Sequence, residues 1–212
     1  MRDRRGPDLG PIVLATANPD KAAEIEAVLT REGLAVDLRP RPSDVPDVEE
    51  TGATLEENAR LKAEALRDAT GLAALADDTG LEVDALGGAP GVYSARYAGE
   101  DATYADNVAR LIAQLSSRLR SSRTARFRTV VVLARPDGTE VVASGTVEGV
   151  IVDPPRGTGG FGYDPVFAPA GGGGRTFAEM APEEKDAISH RGRALRALAV
   201  RLREAAPTDR GE

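Results

Sequence analysis

Apolar residues in this chain come in short runs between polar turns, and their spacing alternates between that of a buried strand and that of a helix. Ile12-Val13-Leu14-Ala15 is a continuous apolar run, as expected of a strand covered on both faces. Asn18-Pro19-Asp20 interrupts it, and Ala22, Ile25, Val28 and Leu29 follow at helical spacing as far as Gly33, a natural helix stop. Leu34 to Leu38 reads as a second strand, and Arg39 to Gly52 as a Pro-rich acidic loop closed by Glu49-Glu50-Thr51-Gly52. Thr54-Leu55-Glu56-Glu57 has the form of a capping box, opening a helix that runs to about Thr70, before Gly71. Ala73 to Ala76 reads as another short buried strand, with Asp77-Asp78-Thr79-Gly80 at its end.

Gly87 to Gly91 is a turn-rich loop, and Ala102 to Leu119 reads as a helix with Val108, Leu111, Ile112 and Leu115 on one face. Thr129 to Ala134 and Glu140 to Val152 flank Pro136-Asp137-Gly138 as a hairpin. A Gly-rich loop follows from Gly157 to Asp164, then a Gly connector from Gly171 to Gly174. The chain reads as helical from Pro182, with a break around His190-Arg191-Gly192 and a stripe of Leu195, Leu198, Ala199 and Leu202 beyond it. Alternating strands and helices with one hairpin predict an α/β fold on a mixed sheet. Residues 1–10 read as a flexible leader, 11–205 as a single domain and 206–212 as a disordered tail.

Composition narrows the chemistry. The 27 basic and 34 acidic side chains give a net charge of −7, which argues against a nucleic-acid-binding surface. No apolar run approaches ~18 residues, so no membrane-spanning segment is expected and the chain reads as soluble and cytoplasmic. With no cysteine and one histidine, a metal held within one chain would see oxygen ligands, which points to Mg²⁺. Only Lys21, Lys62 and Lys185 among the cations are lysines, so those positions read either as needing a compact ammonium rather than a guanidinium or as chance survivors of a bias toward arginine.

Four constellations could carry chemistry, each beside an ordinary alternative. Thr16 to Lys21, between a buried strand and a helix, offers free N–H groups and an ammonium to an anion, or merely caps the helix at Asn18. Asp77-Asp78, with Glu49-Glu50 as a second carboxylate source, suits a cation, or is an acidic turn. Gly157 to Asp164 allows close approach to a ligand, with Phe161 a flat face for a base and Asp164 an acceptor, or is a surface loop. Lys185 and Ser189 share a helix face leading to His190 and Arg191, a donor-rich end to a pocket, or a structural histidine and its neighbours.

Taken in order, six segments resemble one family. They are Thr-x-Asn-x-x-Lys from Thr16, Glu-Thr-Gly from Glu50, Ala-Asp-Asp-Thr-Gly-Leu from Ala76 and Gly-Ala-Pro-Gly-x-Tyr-Ser-Ala-Arg from Gly88. Gly-x-Gly-Gly-Phe-Gly-Tyr-Asp-Pro-x-Phe from Gly157 and Ser-His-Arg from Ser189 complete the series. The chain is similar over about Ile12 to Leu202 to the non-canonical purine nucleoside triphosphate pyrophosphatases, the inosine triphosphatase family. The resemblance implies an elongated mixed central sheet with flanking helices and two lobes around a deep active-site cleft, usually in a homodimer. It implies hydrolysis of ITP, dITP and XTP to monophosphate and pyrophosphate with Mg²⁺, clearing deaminated purines before they enter nucleic acid. By the same resemblance Thr16, Ala17, Asn18, Pro19, Asp20 and Lys21 contact phosphate, and Lys62 is a second phosphate ligand. Asp78 is metal ligand and proton acceptor, Glu50 a further metal candidate, and Thr79 a neighbour in the substrate site. Phe161, Gly162, Tyr163, Asp164, Lys185, His190 and Arg191 match the base pocket. Two positions depart from the pattern. Ala17 stands where many members have Gly, which matters only if that backbone needs a positive φ, and Thr79 replaces the commoner Ser. A pyrophosphatase for modified pyrimidines or methylated nucleotides, or a purine-nucleotide sensor without turnover, are the competing readings.

Overall fold

The computed structural model describes residues 9–34, 36–119 and 122–205. Residues 1–8 of the expected leader and the whole of the expected tail lie outside the described residues.

The chain runs β1 (Pro11–Leu14), α1 (Pro19–Arg31), β2 (Asp37–Arg39), α2 (Leu55–Thr70), β3 (Ala73–Val83), β4 (Pro90–Gly91) and α3 (Tyr104–Leu115). It continues through β5 (Thr124–Ala134), β6 (Glu140–Ile151), β7 (Phe167–Pro169), α4 (Pro182–Ile188) and α5 (His190–Glu204). One mixed sheet orders the strands β2-β1-β3-β5-β6-β7, with β4 paired to β3. β1 lies parallel to β2 and β3, whereas β4 on β3 and β7 on β6 are antiparallel. The predicted α/β fold on a mixed sheet with flanking helices is therefore the observed one.

Two compact units share the chain. Unit 1 gathers the described residues of Met1–Asp78, Val130–Gly145 and Arg191–Glu212; unit 2 gathers Thr79–Thr129 and Thr146–His190. In unit 1 the two-residue period of β1 sends Ile12 and Leu14 to one face, against Ile25, Val28 and Leu29 of α1 and Leu195, Leu198 and Leu202 of α5. Val13 goes to the other face with Leu66 of α2. These clusters hold no aromatic ring, as a chain with 4% aromatics requires of most of its core. The rings gather in unit 2, where Phe127, Phe167 and Phe177 pack with Leu81, Leu111 and Val166.

Helix ends follow local chemistry. Asn18 Oδ1 accepts the N–H groups of Asp20 and Lys21 at the start of α1, with Pro19 as its first residue. Thr54 and Glu57 form the expected capping box of α2, which Gly71 closes at φ 68°. A second box, Thr103 with Asp106, starts α3 two residues later than predicted, and the helix ends at Leu115 rather than Leu119.

Other boundaries also differ. The second strand is Asp37–Arg39 rather than Leu34 to Leu38, because Gly33 turns at φ 70° and Leu34 is buried in the core behind α1. β5 begins at Thr124, five residues early, its polar residues Arg126 and Arg128 alternating with inward Ala125, Phe127 and Thr129. The helical break falls at Ser189, extended at ψ 159°, one residue before the predicted one. The largest correction concerns β3. It does not stop at Ala76 and present Asp77-Asp78-Thr79-Gly80 at its tip; it runs to Val83 with both carboxylates buried in mid-strand. Cations supplied by distant segments make that burial tolerable, as described next.

Candidate active site

In unit 1, β3 presents Asp77 and Asp78 to opposite faces, and each finds its own cations. Asp77, 1% exposed in its side chain, takes Arg191 Nε at 3.2 Å and Nη2 at 3.0 Å on Oδ2. Lys21 Nζ stands 3.5 Å from Oδ1. Arg191 also donates to Glu24, one turn beyond Lys21 on α1. Burial alone would raise the Asp77 carboxyl, but Lys21, Arg191 and Lys62 outweigh it and hold the group well below the usual carboxylate range. Burial is also the main influence on Lys21, whose ammonium is lowered from the ordinary lysine value despite Asp77.

Asp78 belongs to a second cluster. Lys62 Nζ donates to Asp78 Oδ1 at 2.8 Å and to Glu50 Oε1 at 3.0 Å. Asn58 Nδ2 donates to Asp78 Oδ2 at 3.4 Å. Burial raises the Asp78 carboxyl above its ordinary value, Lys62 opposes this and Glu50 adds to it. Burial would lower Lys62, but Asp78, Glu50 and Asp77 more than compensate, so it is a firmly charged ammonium.

This donor set fits a hard divalent cation. One cation, the Lys62 ammonium, is already within 3.0 Å of both carboxylates, so their oxygens converge on a single positive charge. No group of three or more acidic, histidine or cysteine ligands occurs among the described residues. Two carboxylates with the remaining positions left to water and phosphate is the usual Mg²⁺ arrangement, rather than an all-protein cage.

Thr16 to Asp20 leads from β1 into α1. Thr16 Oγ1 accepts the Asn18 N–H at 3.1 Å, and Asn18 in turn caps the helix, so the segment holds itself in shape. Ala17 meets no difficulty, because among the described residues only glycines adopt positive φ. Thr16 to Pro19 and the Pro40–Asp47 loop line a groove of about 650 Å³.

Unit 2 holds the other candidates. Lys185 Nζ donates to Asp164 Oδ2 at 2.6 Å, with both side chains about 95% buried, and the same oxygen accepts the Phe161 N–H at 2.9 Å. Gly160 is needed here: at φ 67°, a Cβ would stand 2.0 Å from that oxygen. The Lys185 ammonium lies 4.8 Å from the centre of the Phe161 ring, and Tyr104 of α3 lies 6.1 Å from it. Phe161, Tyr104, Val108 and Ile112 border a groove of about 740 Å³. Tyr163 buries its ring and donates its hydroxyl to the Ser94 carbonyl, and burial pushes its pKa upward. Gly162 turns the loop at φ 61°. Thr79 shares a 2.7 Å hydrogen bond with Thr129. His190 is buried, stacked on Phe127 with ring centres 4.5 Å apart and planes 13° apart.

The sequence-predicted residues thus fall into two groups. In unit 1 Lys21 and Arg191 gather on Asp77 while Glu50 and Lys62 gather on Asp78, and in unit 2 Phe161, Asp164 and Lys185 meet. Asp20 is exposed at the helix start. Sequence reasoning passed over Asn58, Glu24 and the bracing role of Asp77. Spacing carried a signal for two of them: Asn58 is four residues before Lys62 and Glu24 three after Lys21, each pair on one helix face.

A family model described as the Ham1 family matches residues 12–201. A dITP/XTP pyrophosphatase of Streptomyces avermitilis is 51% identical over 195 residues, covering 91% of this chain and 97% of that protein. Among solved structures, a HAM1 protein from Coxiella burnetii superposes with TM-score 0.82 at 44% identity, covering 92% of this chain and 99% of the other. A nucleoside-triphosphatase / dITP/XTP pyrophosphatase from Mycobacterium abscessus gives TM-score 0.70 at 50% identity, covering 89% and 97%. The paired carboxylates and ammonium groups described above thus belong to a chain that is a member of the Ham1 family.

Proposed function

We propose that this chain hydrolyses the triphosphates of deaminated purines, ITP, dITP and XTP, between the α- and β-phosphates, releasing the monophosphate and pyrophosphate. The observation that carries the reading is the Lys62 ammonium shared by Asp78 and Glu50, with Lys21 beside Asp77 on the same strand. A triphosphate brings close to four negative charges to a protein whose own net charge is −7, so recognition demands a local cationic cluster.

Lys21, Lys62 and the N–H groups of Thr16 and Ala17, which the Asn18 cap does not use, bind the phosphate oxygens. Asp77, fixed by Arg191, keeps Lys21 aimed. Glu50 and Asp78 hold Mg²⁺, which supplies charge neutralisation on the phosphates. Asp78 also orients the water that attacks the α-phosphorus and accepts its proton. Its burial, which raises the carboxyl, makes it a better base than an exposed aspartate. The bond from the α-phosphorus to the bridging oxygen breaks, and the charge that develops on the departing pyrophosphate is met by the lysines.

The base is recognised by Phe161 through stacking and by Lys185, Asp164 and His190 through polar pairing, within a frame set by Gly162 and Tyr163, while the Arg191 guanidinium is taken up by Asp77 and Glu24. Hypoxanthine and xanthine offer a 6-oxo acceptor and an N1–H donor, where adenine offers an amino group and a bare nitrogen. A site aimed at the former discriminates by about 10⁴–10⁵. Thr79 completes the substrate site. The proposal extends to a cytoplasmic homodimer, which sedimentation velocity tests. Pyrophosphate release is to be measured across ITP, dITP, XTP, ATP and GTP, with Mg²⁺ and with chelator. Metal-dependent release from the deaminated purines alone is expected; comparable turnover of ATP, or orthophosphate as product, overturns the reading.

A further inference from the structure

The segment bearing Glu50 is tied to α2 by one side chain. Asn58 is 0% exposed, and its two amide atoms face in different directions. Oδ1 accepts the Gly52 N–H at 2.8 Å, while Nδ2 donates to Asp78 Oδ2 at 3.4 Å. The first contact is close-fitting: a Cβ on Gly52 would stand 2.6 Å from Asn58 Oδ1 and 2.6 Å from Glu57 Cβ. One helical turn further, Lys62 reaches the other oxygen of Asp78 and Glu50.

Packing alone does not call for an amide here. Its neighbours on the buried face of α2 are Leu55, Ala59, Ala63 and Leu66, and a leucine, branched at the same carbon but apolar, would suit that company better. What the amide adds is a rigid tie with one end on the corner that carries Glu50 and the other on Asp78. With Oδ2 held by Asn58, Oδ1 is the oxygen turned to the cation that Glu50 also faces.

We propose that Asn58 is a positioning residue that fixes the spacing and orientation of the Glu50 and Asp78 carboxylates, and thereby sets the divalent-cation affinity of the site without touching the nucleotide. The inference rests on the proposed function in taking those two carboxylates as the cation's holders. Partners that orient metal ligands from behind change metal affinity by about 10–100-fold when removed, which sets the expected scale.

The test compares wild type with Asn58→Leu. Mn²⁺ binding to the nucleotide-free protein is followed by electron paramagnetic resonance, and half-activating Mg²⁺ is measured with ITP. Binding about tenfold weaker is expected, with a matching rise in half-activating Mg²⁺, kcat restored at high Mg²⁺ and KM for ITP within twofold. A folded variant with unchanged Mn²⁺ affinity overturns the inference, as does a wild type that binds no Mn²⁺; a merely structural asparagine would lower thermal stability and leave the metal dependence alone. Should Asn58→Leu fail to fold, Asn58→Ser decides by the same readouts, since its short hydroxyl cannot span Gly52 and Asp78. If wild type binds Mn²⁺ but releases no pyrophosphate, the proposed reaction falls while the binding comparison still judges Asn58.

Discussion

Replacing Arg191 with methionine removes a wholly buried cation at nearly constant volume, and so isolates its electrostatic work. Arg191 gives Asp77 two hydrogen bonds, at 3.2 and 3.0 Å, in a place where that carboxylate is 1% exposed. Breaking a buried pair by deleting one partner costs about 3–5 kcal/mol, because a charge is left behind without its counter-charge. Lys21, 3.5 Å from the other oxygen, continues to compensate, which places the expectation near the lower end, about 3 kcal/mol. For a chain of this length that corresponds to a fall in Tm of roughly 6–12 °C. The pH dependence sharpens the test. In wild type the Asp77 pKa is depressed, so its stabilising contribution is fully present above the ordinary aspartate value and is lost only as pH falls through the lower, folded one. Without Arg191, burial, the largest influence on the group, faces weaker opposition and the folded pKa rises. The variant then takes up a proton on folding at mildly acidic pH, and its deficit relative to wild type shrinks as pH falls from 7 toward 4. Urea unfolding followed by circular dichroism at several pH values measures both. A deficit below about 1 kcal/mol at pH 7, or one constant across that range, refutes the assignment of Arg191 as the brace of Asp77.

Asp78→Asn should fold normally and lose at least about 100-fold in pyrophosphate release, the lower bound for a proton acceptor; near-normal turnover removes Asp78 from the mechanism. Lys62→Met withdraws the ammonium shared by Glu50 and Asp78, so divalent-cation binding by the nucleotide-free protein should tighten while turnover falls. Calorimetry showing no tightening would mean that those carboxylates are not where the cation goes. Phe161→Ala should raise KM for ITP by about 5- to 150-fold, the equivalent of one lost base stack of about 1–3 kcal/mol, with little effect on thermal stability; an unchanged KM denies the ring its role.

Much of this was legible where local chemistry decides the outcome. The Thr54 capping box, the Gly71 stop and the buried run of β1 are determined by residues within a few positions of one another, and they occur as read. The scarcity of lysine likewise singled out Lys21, Lys62 and Lys185, and all three form close contacts with carboxylates. What could not be read was any outcome decided from far along the chain. Asp77-Asp78-Thr79-Gly80 has the local preferences of a turn, yet it continues a strand because Arg191, 114 residues away, neutralises Asp77. Alternation from Ala125 to Thr129 is masked in the sequence by the arginines at the outward positions. Asn58 resembled any polar helix residue until its partners, 6 and 20 residues distant, were in place.

The placement of the three lysines also determines how the molecule meets amine-reactive chemistry. Their side chains are 20%, 15% and 5% exposed, whereas the outward cations are arginines. Acylating reagents that decorate most proteins all over their exterior will here find their ε-amino targets only within the two residue groups described above. Each acylation event at a lysine is therefore a report on one of those groups, and protection from it is a direct gauge of occupancy.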